Sequence, residues 1–215
     1  MISADEAIKR AHALASRGHR VLLGIAGPPG GGKSTLARAV AGALGDRARL
    51  VGMDGFHLAQ AELVRLGLRD RMGALDTFDG AGYVALLKRL RDASERVVYA
   101  PEFRREIEEP INAAVAVPAD VPLVITEGNY LLVDEGPWAE VRELLDEAWY
   151  VVQDEETRLR LLIARHIEFG KDPGDAREWV MRSDQRNAEL VATTKSRADA
   201  LVQIAAAVTD RASRT

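Results

Sequence analysis

The sequence predicts an α/β fold in which a mostly parallel central sheet carries helices on both faces. Three observations lead there. Apolar runs of strand length alternate with segments of helical period, the order that builds parallel sheets. The run Val21–Ala26 passes through a Gly/Pro loop directly into a helical pattern, a strand–loop–helix unit. Two further apolar runs end on acids, Asp54 and Glu127, and open α/β sheets bind ligands beyond the carboxyl ends of their strands.

In chain order, Ser3-Ala4-Asp5-Glu6 is a capping box opening a helix through Ile8, Ala11 and Leu14, with Gly18 as its stop. Val21–Ala26 is a buried strand, and residues 36–44 form the helix after the loop. Residues 49–53 make a short strand ending at Asp54, and 58–66 a helix. The charged, Gly-containing segment 67–80 reads as a loop or mobile flap, and 83–90 as a helix. Residues 97–99 form a strand closed by Pro101, and the mixed stretch 102–117 allows short antiparallel strands. Residues 121–126 are the second clear buried strand, ending at Glu127-Gly128. A helix over 137–145 has Pro in its first turn, a strand follows over 148–152, and Asp154 caps a helix reaching Phe169. Gly170-Lys171-Asp172-Pro173-Gly174 breaks the pattern before another helix through Leu190. Residues 199–204 form a final strand or open a terminal helix, and the tail after Ala207 is expected to fray.

The chain has 215 residues, enough for one sizeable core. Its net charge of −4 offers no broad positive field for a nucleic acid backbone. It has no cysteine, which removes disulfides, thiolate catalysis and Cys-based zinc sites. The N-terminal segment is charged, without an apolar stretch of signal-peptide length, and the apolar runs are too short to span a membrane. A cytoplasmic enzyme is the expectation. A homodimer is compatible with it, although oligomeric state is not legible here.

The string Gly27-Pro28-Pro29-Gly30-Gly31-Gly32-Lys33-Ser34 matches G-x-x-x-x-G-K-[ST] in full, between an apolar strand and a helical period. Polyphosphate needs converging backbone N–H groups, and glycine best tolerates the backbone angles and close approach required. The following helix aims its positive end at the same place. Lys33 then reaches the β- and γ-phosphates, and Ser34 ligates Mg²⁺. The two prolines stiffen the start of the loop, where fewer amide donors are needed. A phosphoryl-transfer site also needs an acid for the acceptor hydroxyl and an oxygen ligand for the metal. Asp54 is assigned the first role and Glu127 the second; the roles could be exchanged or shared, and either acid could merely cap a helix.

These residues support a family resemblance. Residues 27–35, Met53-Asp54-Gly55-Phe56-His57, Phe78-Asp79, Tyr99-Ala100-Pro101-Glu102-Phe103 and Glu127-Gly128-Asn129-Tyr130-Leu131 together resemble the P-loop kinase branch containing uridine kinase, phosphoribulokinase and bacterial pantothenate kinase. The similarity looks greatest to a nucleoside/nucleotide-kinase-like group that includes sugar-transport-associated kinases, and spans roughly residues 21–204. It implies a P-loop NTPase three-layer fold, with residues 1–215 as a single kinase domain and residues 154–190 as a small helical lid with flanking helices. It implies ATP and Mg²⁺, transfer of the γ-phosphoryl to a hydroxyl of a small metabolite, and Asp54 as general base. Gly27, Pro28, Pro29, Gly30, Gly31, Gly32, Lys33, Ser34 and Thr35 would seat the nucleotide. The acceptor would meet Asp54, His57, Tyr83, Phe103, Arg104, Glu127 and Asn129. Where uridine kinases carry a Tyr-Asp-x-x-x-His pattern, this chain reads Phe103-Arg104-Arg105-Glu106-Ile107, which weighs against a uridine acceptor.

Arg158 and Arg165 lie seven apart on one helix face, followed by His166 and Lys171. This resembles a kinase lid whose cations neutralise the transferring phosphoryl, with Arg158 on the nucleotide and Arg165 catalytic. The plainer reading is a solvated face pairing with Asp154, Glu155 or Glu156. His57 touches acceptor or is an ordinary loop histidine, and Trp138, Trp149 and Trp179 read as packing residues. Arg104-Arg105 either bind an anionic acceptor or balance Glu102, Glu106, Glu108 and Glu109. A regulatory NTPase without an acceptor is the competing function. Against it, no Asn-Lys-x-Asp or Leu-Ser-Gly-Gly-Gln string occurs, and the Asp70-Arg71-Met72-Gly73 match to a switch pattern follows no apolar strand.

Overall fold

The computed structural model describes residues 1–204; the tail after Ala207, expected to fray, lies outside the described residues. Eight strands and eight α-helices are described, in the order β1 (Ile2–Ser3), α1 (Ala4–Leu14), β2 (Val21–Ala26), α2 (Lys33–Leu44), β3 (Ala48–Gly52), α3 (Gln60–Leu66), α4 (Gly80–Asp92), β4 (Val97–Arg104), β5 (Glu109–Pro118), β6 (Leu123–Gly128), α5 (Val141–Leu144), β7 (Glu147–Val152), α6 (Glu155–Glu168), α7 (Pro173–Trp179), α8 (Gln185–Thr193) and β8 (Ala200–Gln203). Six strands form a wholly parallel sheet in the order β1-β8-β7-β2-β6-β3, while β4 and β5 pair as a separate antiparallel hairpin.

Three layers follow from the side-chain alternation of a strand. Along β2, Val21, Leu23 and Ile25 pack with Ala7, Ala11 and Leu14 of α1 and with Leu36, Ala37 and Val40 of α2. Leu22 and Ala26 face the other way, toward Tyr83, Leu87 and Leu90 of α4, Val141 of α5 and Val191 of α8. With β7 on one side and β6 on the other, β2 is central and buried on both faces, so its sequence is a continuous apolar run. The Ser3/Glu6 capping box forms as its sequence requires: the Glu6 amide donates to Ser3 Oγ, and the Ser3 amide to Glu6 Oε2 at 2.7 Å.

Several boundaries differ from expectation. α1 ends at Leu14 rather than at Gly18. Pro101 does not close its strand; β4 continues to Arg104 through an irregularity between Ala100 and Glu102, where the missing proline N–H costs nothing. The helix expected over 137–145 is a 3₁₀ turn, Gly136–Glu140, joined to the single turn of α5. The helix expected through Leu190 is interrupted by a π-helical turn, Val180–Asp184, between α7 and α8. The open choice at the C-terminal end resolves as β8, parallel to β7 and β1.

The segment 67–80 holds two 3₁₀ turns, Arg69–Arg71 and Leu75–Thr77. It is tied down at Gly73, whose carbonyl accepts from Tyr130 Oη at 2.6 Å and from Asn187 Nδ2 at 3.1 Å.

Candidate active site

The parallel register brings the chemistry together. Glu127, next to last in β6, is level with Ile25 of β2 on one side and Gly52 of β3 on the other. The chain leaving β2 is the glycine loop, and the chain leaving β3 is a 3₁₀ turn, Met53–Phe56, that carries Asp54. Lys33, Ser34, Asp54 and Glu127 therefore line one cleft of about 170 Å³ with His57, Phe103, Asn129 and Arg165.

In the loop, Gly30 and Gly32 sit at φ 74° and 87°, the left-handed region that side-chain-bearing residues rarely adopt. Gly32 is also the N-cap of α2, so the bend that shapes the loop also aims its amides and the helix end into the cleft. Lys33 is 8% exposed, and its ammonium donates to the Pro28 carbonyl at 3.1 Å and to Asn129 Oδ1 at 2.6 Å. Burial lowers its pKa to about 8, against the pull of Glu127 and Asp54. Ser34 Oγ donates to Glu127 Oε1 at 3.0 Å.

The two acids are driven apart. Burial and the charge of Asp54 push Glu127 above the ordinary carboxylate range. Burial works on Asp54 in the same direction but is outweighed by His57, Arg105, Lys33 and Arg165, which hold it below its ordinary value. His57 is itself lowered by burial, so near neutral pH the standing cations around Asp54 are Arg105, Lys33 and Arg165. His57 Nδ1 lies 2.8 Å from the Asp54 carbonyl oxygen, which makes Nδ1 the protonated nitrogen and leaves Nε2 as acceptor. Its ring packs against Phe78 at 4.0 Å and Phe103 at 4.7 Å between centroids.

Three expected contacts fall elsewhere. Tyr83 is fully buried, its hydroxyl hydrogen-bonded to Thr126 Oγ1 at 2.6 Å within the α4 face of the core. Arg104 pairs with Glu102 at 2.9 Å on the outside of the hairpin, and its neighbour Arg105 lines the cleft instead. Arg158, 1% exposed, is neither a solvated cation nor part of the cleft wall. Its guanidinium grips Glu155 at 2.6 and 2.8 Å, Gln185 Oε1 at 2.5 Å and the Pro29 carbonyl at 3.0 Å, so α6 and α8 are clamped to the glycine loop.

Arg165, two turns further along the same face of α6, does reach the cleft. His166 beside it meets Asp184 Oδ2 of the π turn at 2.8 Å, and Lys171 Nζ stands 4.3 Å over the Trp179 ring. Arg69, Met72, Phe169, Trp179, Asp184 and Asn187 also line the cleft and carried no motif by which sequence could single them out. Of the tryptophans, Trp138 and Trp149 are core residues, whereas Trp179 is a wall of the cleft.

A family model described as Phosphoribulokinase / Uridine kinase family matches residues 22–209. The chain belongs to this family. It is an ATP-dependent phosphotransferase acting on a hydroxyl of a small molecule, and nothing supports the acceptor-free regulatory NTPase. A Schizosaccharomyces pombe protein provisionally named uridine kinase is 32% identical over 212 residues, 94% of this chain and 90% of that one. The pantothenate kinase of Limosilactobacillus reuteri is 37% identical over 120 residues, 53% of this chain and 36% of that one. Among solved structures, a kinase from Silicibacter provisionally assigned to fructose transport superposes with a TM-score of 0.81 at 30% identity, covering 91% of this chain and 97% of that one. The α/β architecture inferred from the glycine loop and the strand-end acids is that of a P-loop kinase.

No described helix is long and apolar enough to cross a membrane.

Proposed function

We propose that residues 27–35 seat the triphosphate of ATP, that Asp54 takes the proton of the acceptor hydroxyl, and that Lys33 and Arg165 neutralise the phosphoryl in flight. The observation that carries this reading is the convergence of the glycine loop, Asp54, Glu127 and Arg165 on one cleft at the carboxyl ends of β2, β3 and β6. In the transfer, the acceptor oxygen forms a bond to the γ-phosphorus while the bond from that phosphorus to the β–γ bridging oxygen breaks. ADP departs, and the hydroxyl proton passes to the Asp54 carboxylate, which its surrounding cations keep ionised.

Ser34 Oγ and the Glu127 carboxylate form an all-oxygen pair beside the loop, a small donor set of the kind that suits a Mg²⁺ retaining waters and sharing phosphate oxygens. When bound there, Mg²⁺ would supply charge neutralisation on the β- and γ-phosphoryl oxygens. Residues 154–190 act as the lid, bringing Arg165 over the γ-phosphoryl and excluding water. The whole chain works as one kinase domain, in the cytoplasm, where its nucleotide substrate is maintained.

The test is ADP release with MgATP across sugars, polyols, nucleosides and pantothenate, with Asp54→Asn in parallel. One compound should stimulate turnover strongly, and Asp54→Asn should lower kcat by roughly 10²- to 10⁴-fold while ATP still binds. Stimulated turnover that survives the substitution would remove Asp54 from the role of base.

A further inference from the structure

The half of the cleft beyond Asp54 carries an arginine that the phosphoryl-transfer chemistry does not use. Arg105 sits in the turn at the tip of the β4–β5 hairpin, just past the end of β4, and lines the cleft together with Phe103. The tip is anchored: Glu109 accepts from the Gln60 amide at 3.2 Å, serving as the cap that Ala59 cannot supply to α3, and Gln60 Nε2 donates to the Glu108 carbonyl at 2.8 Å. Yet the guanidinium itself is barely engaged. Among the described residues its one side-chain partner is Asp54, through a single Nη2–Oδ2 contact of 3.3 Å. A guanidinium presents five N–H donors in a fixed fork matched to carboxylate and phosphate, so most of this fork is uncommitted. Its side chain remains 42% exposed on the open side of the cleft. Arg69, on the facing segment 67–80, lines the same space and is held by one contact to Glu108 at 3.0 Å.

The Arg105–Asp54 contact has a cost for catalysis. An acid paired with an arginine is a poor proton acceptor, because the cation favours its ionised form. An acceptor that brings its own anionic group would draw the fork off Asp54 and leave the base opposite the hydroxyl. A neutral acceptor offers the fork nothing and leaves the pair in place.

Building on the kinase reading above, we propose that the acceptor is a hydroxy compound bearing a carboxylate or a phosphate, and that Arg105 recognises this anionic group and thereby frees Asp54. The residue sets both affinity and the state of the base, so an anionic acceptor is selected twice.

The experiment compares matched compounds with MgATP: glycerate against glycerol, pantothenate against panthenol, and fructose 6-phosphate against fructose. The charged member of an active pair should be the better acceptor by at least about tenfold in kcat/KM, and Arg105→Gln should remove that preference by raising KM for the charged acceptor and raising kcat for the neutral one. The pairs also separate a carboxylate from a phosphate. In parallel, thermal shift is read with saturating Mg²⁺ and a non-hydrolysable ATP analogue, titrating acetate and inorganic phosphate into wild type, Arg105→Gln and Arg105→Lys. One of the anions should raise the wild-type midpoint, with the shift lost in Arg105→Gln and weakened in Arg105→Lys. A neutral compound preferred by wild type, or an anion response that is absent from wild type or retained in Arg105→Gln, overturns the proposal. If a neutral compound is preferred and turnover still collapses in Asp54→Asn, the anionic acceptor fails while the kinase site stands. Turnover indifferent to Asp54→Asn, with an anion response that depends on Arg105, fails the site reading instead.

Discussion

Replacing Arg158 with alanine separates two roles that the same sequence position suggests. As a lid cation it would act only on the transferring phosphoryl. As a clamp it holds α6 and α8 to the glycine loop through Glu155, Gln185 and the Pro29 carbonyl. Removal of one member of a buried ion pair can cost several kcal/mol, but Glu155 is 60% exposed and can rehydrate, so little of that penalty remains. What is lost is the hydrogen bonding to Gln185 and Pro29, charge-assisted from the donor side, and the packing of a long side chain. Together these amount to roughly 2–4 kcal/mol. In a chain of this size that is a fall in Tm of roughly 5–15 °C. Because the Pro29 carbonyl is released, KM for ATP should also rise, with kcat reduced far less. Arg158→Lys should rescue only in part, since one ammonium cannot replace a fork that spans three partners. The assay is differential scanning fluorimetry beside steady-state kinetics with ATP varied. If Arg158→Ala melts within about 2 °C of wild type while kcat drops about a hundredfold at unchanged ATP KM, the clamp argument is refuted and Arg158 belongs with the transition-state cations.

Other expectations follow from individual contacts. Lys33 has its pKa lowered to about 8 in the free protein, and bound polyphosphate favours the ammonium; ATP binding should therefore take up a proton above pH 8 and weaken as pH rises, by up to about tenfold in Kd per pH unit. A Kd from calorimetry that stays flat between about pH 7 and 9.5 would contradict this. A β-carbon at Gly55 would stand 2.6 Å from the Pro101 carbonyl oxygen, so Gly55→Ala must displace the Asp54 turn from the hairpin; we expect about 1–3 kcal/mol of destabilisation by denaturant unfolding and a matching fall in kcat. Tyr83→Phe should cost about 1 kcal/mol and leave acceptor KM alone, because Thr126 Oγ1 still donates to the Val51 carbonyl at 2.7 Å; a raised acceptor KM would return Tyr83 to the acceptor site.

Much of this site is legible in the sequence where a local rule suffices. The phosphate loop requires particular residues at fixed spacing, and the acids close two apolar runs, so Lys33 and Ser34 at the head of α2 and Asp54 and Glu127 at strand ends could be placed without coordinates. The errors arise where neighbours decide. The resemblance carries Arg104 to the acceptor and the residues alone leave Arg104 and Arg105 equivalent; only the packing of the hairpin, irregular between Ala100 and Glu102, pairs Arg104 with Glu102 and leaves Phe103 and Arg105 in the cleft. Arg158 and Arg165 share a helix face, but only the packing of α6 on the loop assigns one to Pro29 and the other to the cleft. Trp179 lies just before a π turn that no periodicity announced.

The carbonyl of Gly73 gathers three distant parts of the chain. It accepts from Tyr130, just past β6, and from Asn187 in α8, while the residues around it belong to the acceptor-side segment. Asn187 and Gly73 both line the cleft. A shift of α8 is thus passed by a single oxygen to the floor on which the acceptor would rest, with no covalent link between them. With residues 154–190 acting as the lid proposed above, acceptor fit and lid position become one mechanical variable at this point, and substitutions at Asn187 should alter how the two substrates sense each other's presence.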